Sequence, residues 1–267
     1  MELTQIIGYF GALCIGIVLG LIGGGGSILT VPILAYLFYI NPVTATAYSL
    51  FVVGSTALVG TIRNIQKGLV DFKTGIVFAI PAFIAVYATR KYIVPAIPDN
   101  LFSIGDFEMT KDIAIMIFFA IIMLLASISM IRGRKGLNET TIEKPKFNYL
   151  LVTLEGAIVG VLTGLVGAGG GFLIIPALVL MAKLPMKKAV ATSLMIIAIK
   201  SLIGFIGDIE NLAIDWQFLL MFTLLSVIGI FIGIYLSNFI EGKKLKKVFG
   251  YFVLVMGVFI IWKELAK

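Results

Sequence analysis

The residues able to do chemistry in this sequence gather at two glycine clusters and one lysine. Gly23-Gly24-Gly25-Gly26-Ser27 and Gly167-Ala168-Gly169-Gly170-Gly171 each interrupt a long apolar run, and each precedes a short apolar stretch with a proline, Pro32 or Pro176. Glycine costs a helix interior about 1 kcal/mol relative to alanine. Four in succession unwind the helix and release backbone N–H groups, which in hydrocarbon must be satisfied by protein, by water in a cavity or by a ligand. A helix is expected to restart near Ser27 and again near Gly171. Its unpaired N–H groups and partial positive charge suit an anion. Ser27 is placed to cap its helix or to donate to that ligand. The competing reading is close helix packing, which glycine permits in membranes. A nucleotide loop fits poorly, because no Lys-Ser/Thr follows the glycines and no strand-helix-strand context surrounds them.

A second group lies on the helices after the breaks. Ser49, Thr56 and Arg63 recur every seven residues and share one helix face. Their counterparts in the second half are Ser193, Lys200 and Gly207. Lys200 lies well inside the apolar run 189–207, where an unpaired ammonium costs several kcal/mol, so a role toward an anionic solute or a moving proton is expected of it. The alternative is a structural ion pair with Glu155, which also interrupts an apolar run. Glu155, Asn64 and Asp208 are candidates for ion coupling or gating. Asp71 and Asp215 are read as helix caps, and Tyr48 and Thr192 adjoin the two matched serines.

The elements that must hold these residues follow from composition. Of 267 residues 60% are hydrophobic and 13% charged, against roughly half and a quarter in an ordinary globular domain. That is about 160 apolar residues, enough for about eight crossings at about 20 each. The chain reads as an all-α polytopic membrane protein. It has no histidine and one cysteine, Cys14, so zinc, haem and Ser-His or Cys-His triads are out of reach. No metal, cofactor or enzymatic activity is expected. Lys+Arg 21 against Asp+Glu 14 gives net +7, but the basic residues are scattered between apolar segments and indicate orientation rather than nucleic acid. The solvent is the lipid bilayer. A homodimer suits a bundle of this size, although no interface is legible.

The apolar segments run approximately 3–39, 43–62, 74–94, 110–131, 149–182, 188–207, 215–239 and 247–263. An offset of 144 residues superposes Gly20–Pro32 on Gly164–Pro176 and carries Ala45, Ala47, Ser49 and Leu50 onto Ala189, Ala191, Ser193 and Leu194. About a third of positions from Gly16 to Asp71 are identical, where composition alone gives roughly a tenth. The expected organisation is a repeat over 1–131, a cytoplasmic linker over 132–148 and a second repeat over 149–267. Loop charge inverts between them: Arg63, Lys67 and Lys73 are matched by a Lys- and Arg-free loop from Asp208 to Asp215, and Lys183, Lys187 and Lys188 by a neutral stretch near Asn41. Under the positive-inside rule the repeats face opposite ways. Each then holds a glycine-broken, hairpin-like first element and three spanning helices, six full spans in all. The first arm of about 18 residues, roughly 27 Å long, sits awkwardly with a hairpin.

The paired Gly20–Pro32 and Gly164–Pro176 motifs, the Ala-x-Ala-x-Ser-Leu matches and Asn64-Ile65-Gln66-Lys67-Gly68-Leu69-Val70-Asp71 resemble the sulfite exporter TauE/SafE permeases. The second half departs from that pattern, with Asp208 for the asparagine and Leu212 for the glycine. The resemblance implies a transporter with two four-segment repeats, associated with sulfite, sulfonates and related organic anions. The expectation is a secondary transporter of a small, sulfur-containing anion working by alternating access; the alternative is a passive anion channel. Its site would be built from Gly23, Gly24, Gly25, Gly26, Ser27, Ser49, Thr56, Gly167, Gly169, Gly170, Gly171, Ser193 and Lys200.

Overall fold

The computed structural model describes residues 3–24, 26–104, 107–132, 149–180, 182, 184–237, 239 and 242–266. Gly25, Lys183 and nearly all of the expected 132–148 linker lie outside them. Along the chain run α1 (Leu3–Ile22), α2 (Ser27–Leu37), α3 (Pro42–Gln66), α4 (Phe72–Ala88), a π-helical turn (Thr89–Ile93), α5 (Val94–Ala96), β1 (Asn100–Ile104) and β2 (Phe107–Thr110). Then come α6 (Lys111–Arg132), α7 (Tyr149–Val166), α8 (Gly171–Leu180), α9 (Met186–Ile209), α10 (Trp216–Leu236) and α11 (Gly242–Leu265).

Turn chemistry sets the starts and stops. Asn41 caps α3, its side chain accepting from Val43 N at 2.9 Å, with Pro42 at the first helical position. Asp71 and Asp215 cap α4 and α10 as the sequence suggests, accepting from Thr74 N at 2.9 Å and Phe218 N at 3.1 Å. The helices α1 and α7 end where glycines adopt positive φ, +79° at Gly23 and +70° at Gly167, a region closed to most side chains.

Seven helices among the described residues are long and apolar enough to cross a membrane: Leu3–Ile22, Pro42–Gln66, Phe72–Ala96, Lys111–Arg132, Met186–Ile209, Trp216–Leu236 and Lys247–Leu265. The sequence expects six full spans beside two broken elements; by length and composition α1 is a seventh candidate. The helix α1 runs through Gly20 to Ile22 and is span-length on its own, whereas Ser27–Leu37 and Leu151–Val166 are shorter. Exposed apolar stripes support a lipid surround. Ile76, Ile80 and Ile84 on α4, and Leu220, Leu224 and Ile228 on α10, lie one helical turn apart and are about half exposed. These two triplets are related by the 144-residue offset.

The broken elements do fold back. Gly26 lies against Leu19, Gly11 against Ile33 and Gly8 against Phe38, so α2 returns antiparallel along α1. The break sits about 20 Å beyond the level of Gly8 at the helical rise per residue. In the second half Gly170 meets Thr163 and Val159, the same registers.

Helix contacts repeat between the halves. Gly16 and Gly20 of α1 pack on Ser226 and Ile230 of α10, and Gly160 and Gly164 of α7 pack on Ala82 and Val86 of α4. Both pairs run parallel, in matched registers. By contrast α3 crosses α9 antiparallel, Gly54 against Leu202 and Gly60 against Leu194, and α11 runs antiparallel to α6, Gly250 by Met130 and Gly257 by Leu124. Glycine makes the α1–α10 approach feasible, because a Cβ at Gly16 would collide with the Ser226 carbonyl. Gly16→Ala should therefore destabilise the protein by about 2 kcal/mol through forced helix separation. Gly68→Ala, at φ +66° in open space, should cost about 1 kcal/mol of backbone strain alone. Thermal unfolding in detergent orders the two; equal effects would mean that the helices separate without penalty.

The antiparallel hairpin β1–β2, with Ser103 opposite Glu108 and Ile104 opposite Phe107, is a small departure from an all-α chain. Its signal was Gly105-Asp106 between two short apolar stretches.

Candidate functional site

The two glycine breaks meet. A Cβ at Gly24 would stand 2.5 Å from Gly171 Cα, and Gly171 in turn abuts Gly24 and the carbonyl of Gly23. Only backbone without side chains fits there. Each break is also clasped by the long helix of the opposite half at matched positions: Gly23 lies against Val190 of α9, and Gly167 against Thr46 of α3. Every described residue of both breaks is buried, as are Ser27, Ser49, Ser193 and Lys200. The arrangement is closed to both surfaces.

The predicted residues separate into those at the breaks and those elsewhere. Ser27 begins α2 and donates to Gly24 O at 2.8 Å, within its own turn. Ser193 donates to Gly23 O at 2.9 Å and Val190 O at 2.8 Å, tying α9 to the first break. Its counterpart Ser49 is fully buried with no partner for its hydroxyl. Ser49 lies one turn from Thr46, which touches Gly167, and one turn from Val53, which touches Gly169, so it fronts the second break. Gly169 and Gly170 hold positive φ, +50° and +63°. Lys200 Nζ sits 3.0 Å from a Cβ position at Gly170 and donates to Thr163 Oγ1 at 2.9 Å.

Thr56 is elsewhere: its hydroxyl donates to Ser226 Oγ of α10 at 3.0 Å. Arg63 is exposed and bonds Gln66. The seven-residue stripe drifts by about 20° per repeat on a straight helix, and α3 crosses its neighbours, so its three members meet three environments. Asn64 is buried near the end of α3 and donates to Gly60 O at 2.8 Å. Tyr48 and Thr192 cap the opposite half instead of facing a cavity. Tyr48 Oη accepts from Asp215 N at 2.6 Å and Thr192 Oγ1 from Asp71 N at 2.9 Å.

Glu155 does not pair with Lys200. Thr163, the lysine's partner, lies two turns further along α7, and Glu155 Oε2 is buried without a hydrogen bond. Asp208 is instead the acid of an ion pair that sequence reasoning missed. Arg90 Nε donates to its Oδ2 at 2.8 Å, with the two side chains 0% and 4% exposed. Arg90 Nη2 donates to Thr46 Oγ1 at 3.0 Å, and Nη1 has no partner. The π-helical turn over Thr89–Ile93 carries Arg90; such an extra residue per turn re-aims a side chain and recurs at functional positions. In the sequence Arg90-Lys91 near the end of an apolar run passes for loop charge. The partly exposed Lys91–Glu210 pair at 3.2 Å braces the same junction.

The family model described as "Sulfite exporter TauE/SafE" matches residues 9–260. A probable membrane transporter protein of Xylella fastidiosa is 28% identical over 257 residues, covering 95% of this chain and 93% of that protein. The probable membrane transporter protein YunE of Bacillus subtilis is 27% identical over 274 residues, covering 93% and 94%. No solved structure matches.

Proposed function

The chain belongs to the sulfite exporter TauE/SafE family, and from that premise we propose that it is a secondary transporter of a small, sulfur-containing anion working by alternating access. It is a multi-pass integral protein of the cell membrane. The observation that carries the proposal is the meeting of two helix breaks, backbone on backbone, beside a buried lysine that no carboxylate neutralises among the described residues. The N-terminal ends of α2 and α8 and the Lys200 ammonium attract negative charge where water is excluded.

In this reading residues 1–131 and 149–267 are two repeats of inverted topology joined by a cytoplasmic linker. The antiparallel crossings of the matched helices α3 with α9 and α6 with α11 support inversion, as do the parallel pairs α1–α10 and α7–α4 in matched register. Transport then moves the elements of one half against the other around the breaks, with Ser27, Ser49 and Ser193 beside the solute. The burial of every described residue of the breaks corresponds to an occluded state.

Purified protein in liposomes tests this. Sulfite, methanesulfonate or a related small anion should cross with saturable, gradient-dependent flux. Single-channel currents would instead establish the passive channel, and absence of both flux and binding across the panel would sink the anion assignment.

A further inference from the structure

The two breaks are alike in backbone but not in charge. The break at Gly167–Gly171 has Lys200 Nζ at Gly170 and the Arg90 guanidinium on Thr46, the residue packed against Gly167. At the first break the 144-residue counterparts of Lys200, Arg90 and Thr46 are Thr56, Ile234 and Val190, so neither cation is repeated there. The serines differ in the same sense. Ser193, facing the first break, spends its hydroxyl on two backbone carbonyls, whereas Ser49, facing the second, has none.

The geometry points to a one-sided anion seat: an oxyanion binds over the second break, received by Arg90 and Lys200 with Ser49 as hydroxyl donor, while the first break serves as neutral scaffold. This rests on the anion-transport reading and assigns its site. Two unpartnered donors, Arg90 Nη1 and Ser49 Oγ, belong to fully buried side chains around Thr46. Buried donors without partners are rare in folded proteins and call for an occupant. Asp208 neutralises one of the two cations, leaving a net positive site to which a monoanion is the matching ligand. Gly167 and Gly170, beside which the two cations stand, are three residues of chain and at most about 10 Å apart. Nη1 offers a charge-assisted bond to one oxygen, Ser49 Oγ a second, and the N–H groups at the start of α8 complete the set.

The test uses the purified full chain and thermal shift, then calorimetric titration, with sulfite, sulfate, methanesulfonate, acetate and phosphate as probes. The wild type should be stabilised by at least one. Ser49→Ala should weaken that anion about tenfold without lowering the melting temperature of the anion-free protein, since its hydroxyl holds nothing there. The neutral pair Arg90→Gln/Asp208→Asn, which removes both charges of the ion pair together, should weaken it at least thirtyfold. Affinities within twofold of wild type in both variants would overturn the seat while leaving the anion reading intact. A wild type that neither binds nor transports any probe would overturn both.

Discussion

Asp208→Ala should destabilise the protein by about 3–5 kcal/mol, the range for removing one partner of a buried ion pair. The cost arises from Arg90 more than from the lost contact. The guanidinium is fully buried, its Nε donates to Asp208, its Nη2 to Thr46, and its Nη1 is already unpartnered. With the carboxylate gone, one hydrogen bond to a hydroxyl is all that compensates the buried guanidinium among the described residues. Arg90→Met together with Asp208→Leu should recover much of the loss, because an apolar pair of similar volume carries no desolvation penalty. Thermal unfolding of the two singles and the double yields the coupling energy. A small anion should stabilise Asp208→Ala more than wild type, since it supplies the missing negative charge. If Asp208→Ala unfolds within about 0.5 kcal/mol of wild type, a range ordinary for surface substitutions, the pair is solvated and Arg90 is no buried cation.

Much of this molecule was legible in its sequence because the signals were redundant. Apolar runs place the helices, and the 144-residue offset links Gly16 to Gly160 and Asp71 to Asp215, positions that make matching contacts in the structure. Glycine clusters mark the breaks because glycine is both the poorest helix former short of proline and the residue that allows close backbone approach. Illegible were the features depending on which way a side chain points. Arg90 is fully buried while its neighbour Lys91 is partly exposed, a difference in direction within a π-helical turn that composition does not announce. Thr56 and Ser49 share a heptad spacing, yet one faces α10 and the other the second break. The Glu155–Lys200 pairing failed for a related reason: two charges in apolar runs attract a pairing argument, but α7 sets Glu155 two turns from Thr163, whose hydroxyl the lysine finds.

Lys200→Met should stabilise the anion-free protein and abolish transport. The two effects have one origin. Lys200 is fully buried and its ammonium makes a single hydrogen bond, to Thr163 Oγ1 at 2.9 Å. A lysine at the centre of a membrane helix costs about 2.5–3.5 kcal/mol on insertion scales, and one neutral acceptor returns little of that. Methionine keeps the unbranched stem and volume, and Thr163 loses nothing, since its hydroxyl already donates to Val159 O at 2.7 Å. A gain of about 2 kcal/mol in unfolding free energy is therefore expected, within the range for replacing buried charge by apolar groups. Transport should fall at least a hundredfold, because the residual cation, Arg90, is already neutralised by Asp208. Lys200→Gln separates charge from hydrogen bonding: it retains a donor toward Thr163 and Gly170 but should transport no better than Lys200→Met. A residue whose removal strengthens the fold is retained for what it binds. Should Lys200→Met melt below wild type and still carry the anion, the lysine is structural, and the negative charge must be met by the backbone N–H groups of the breaks and Arg90 alone.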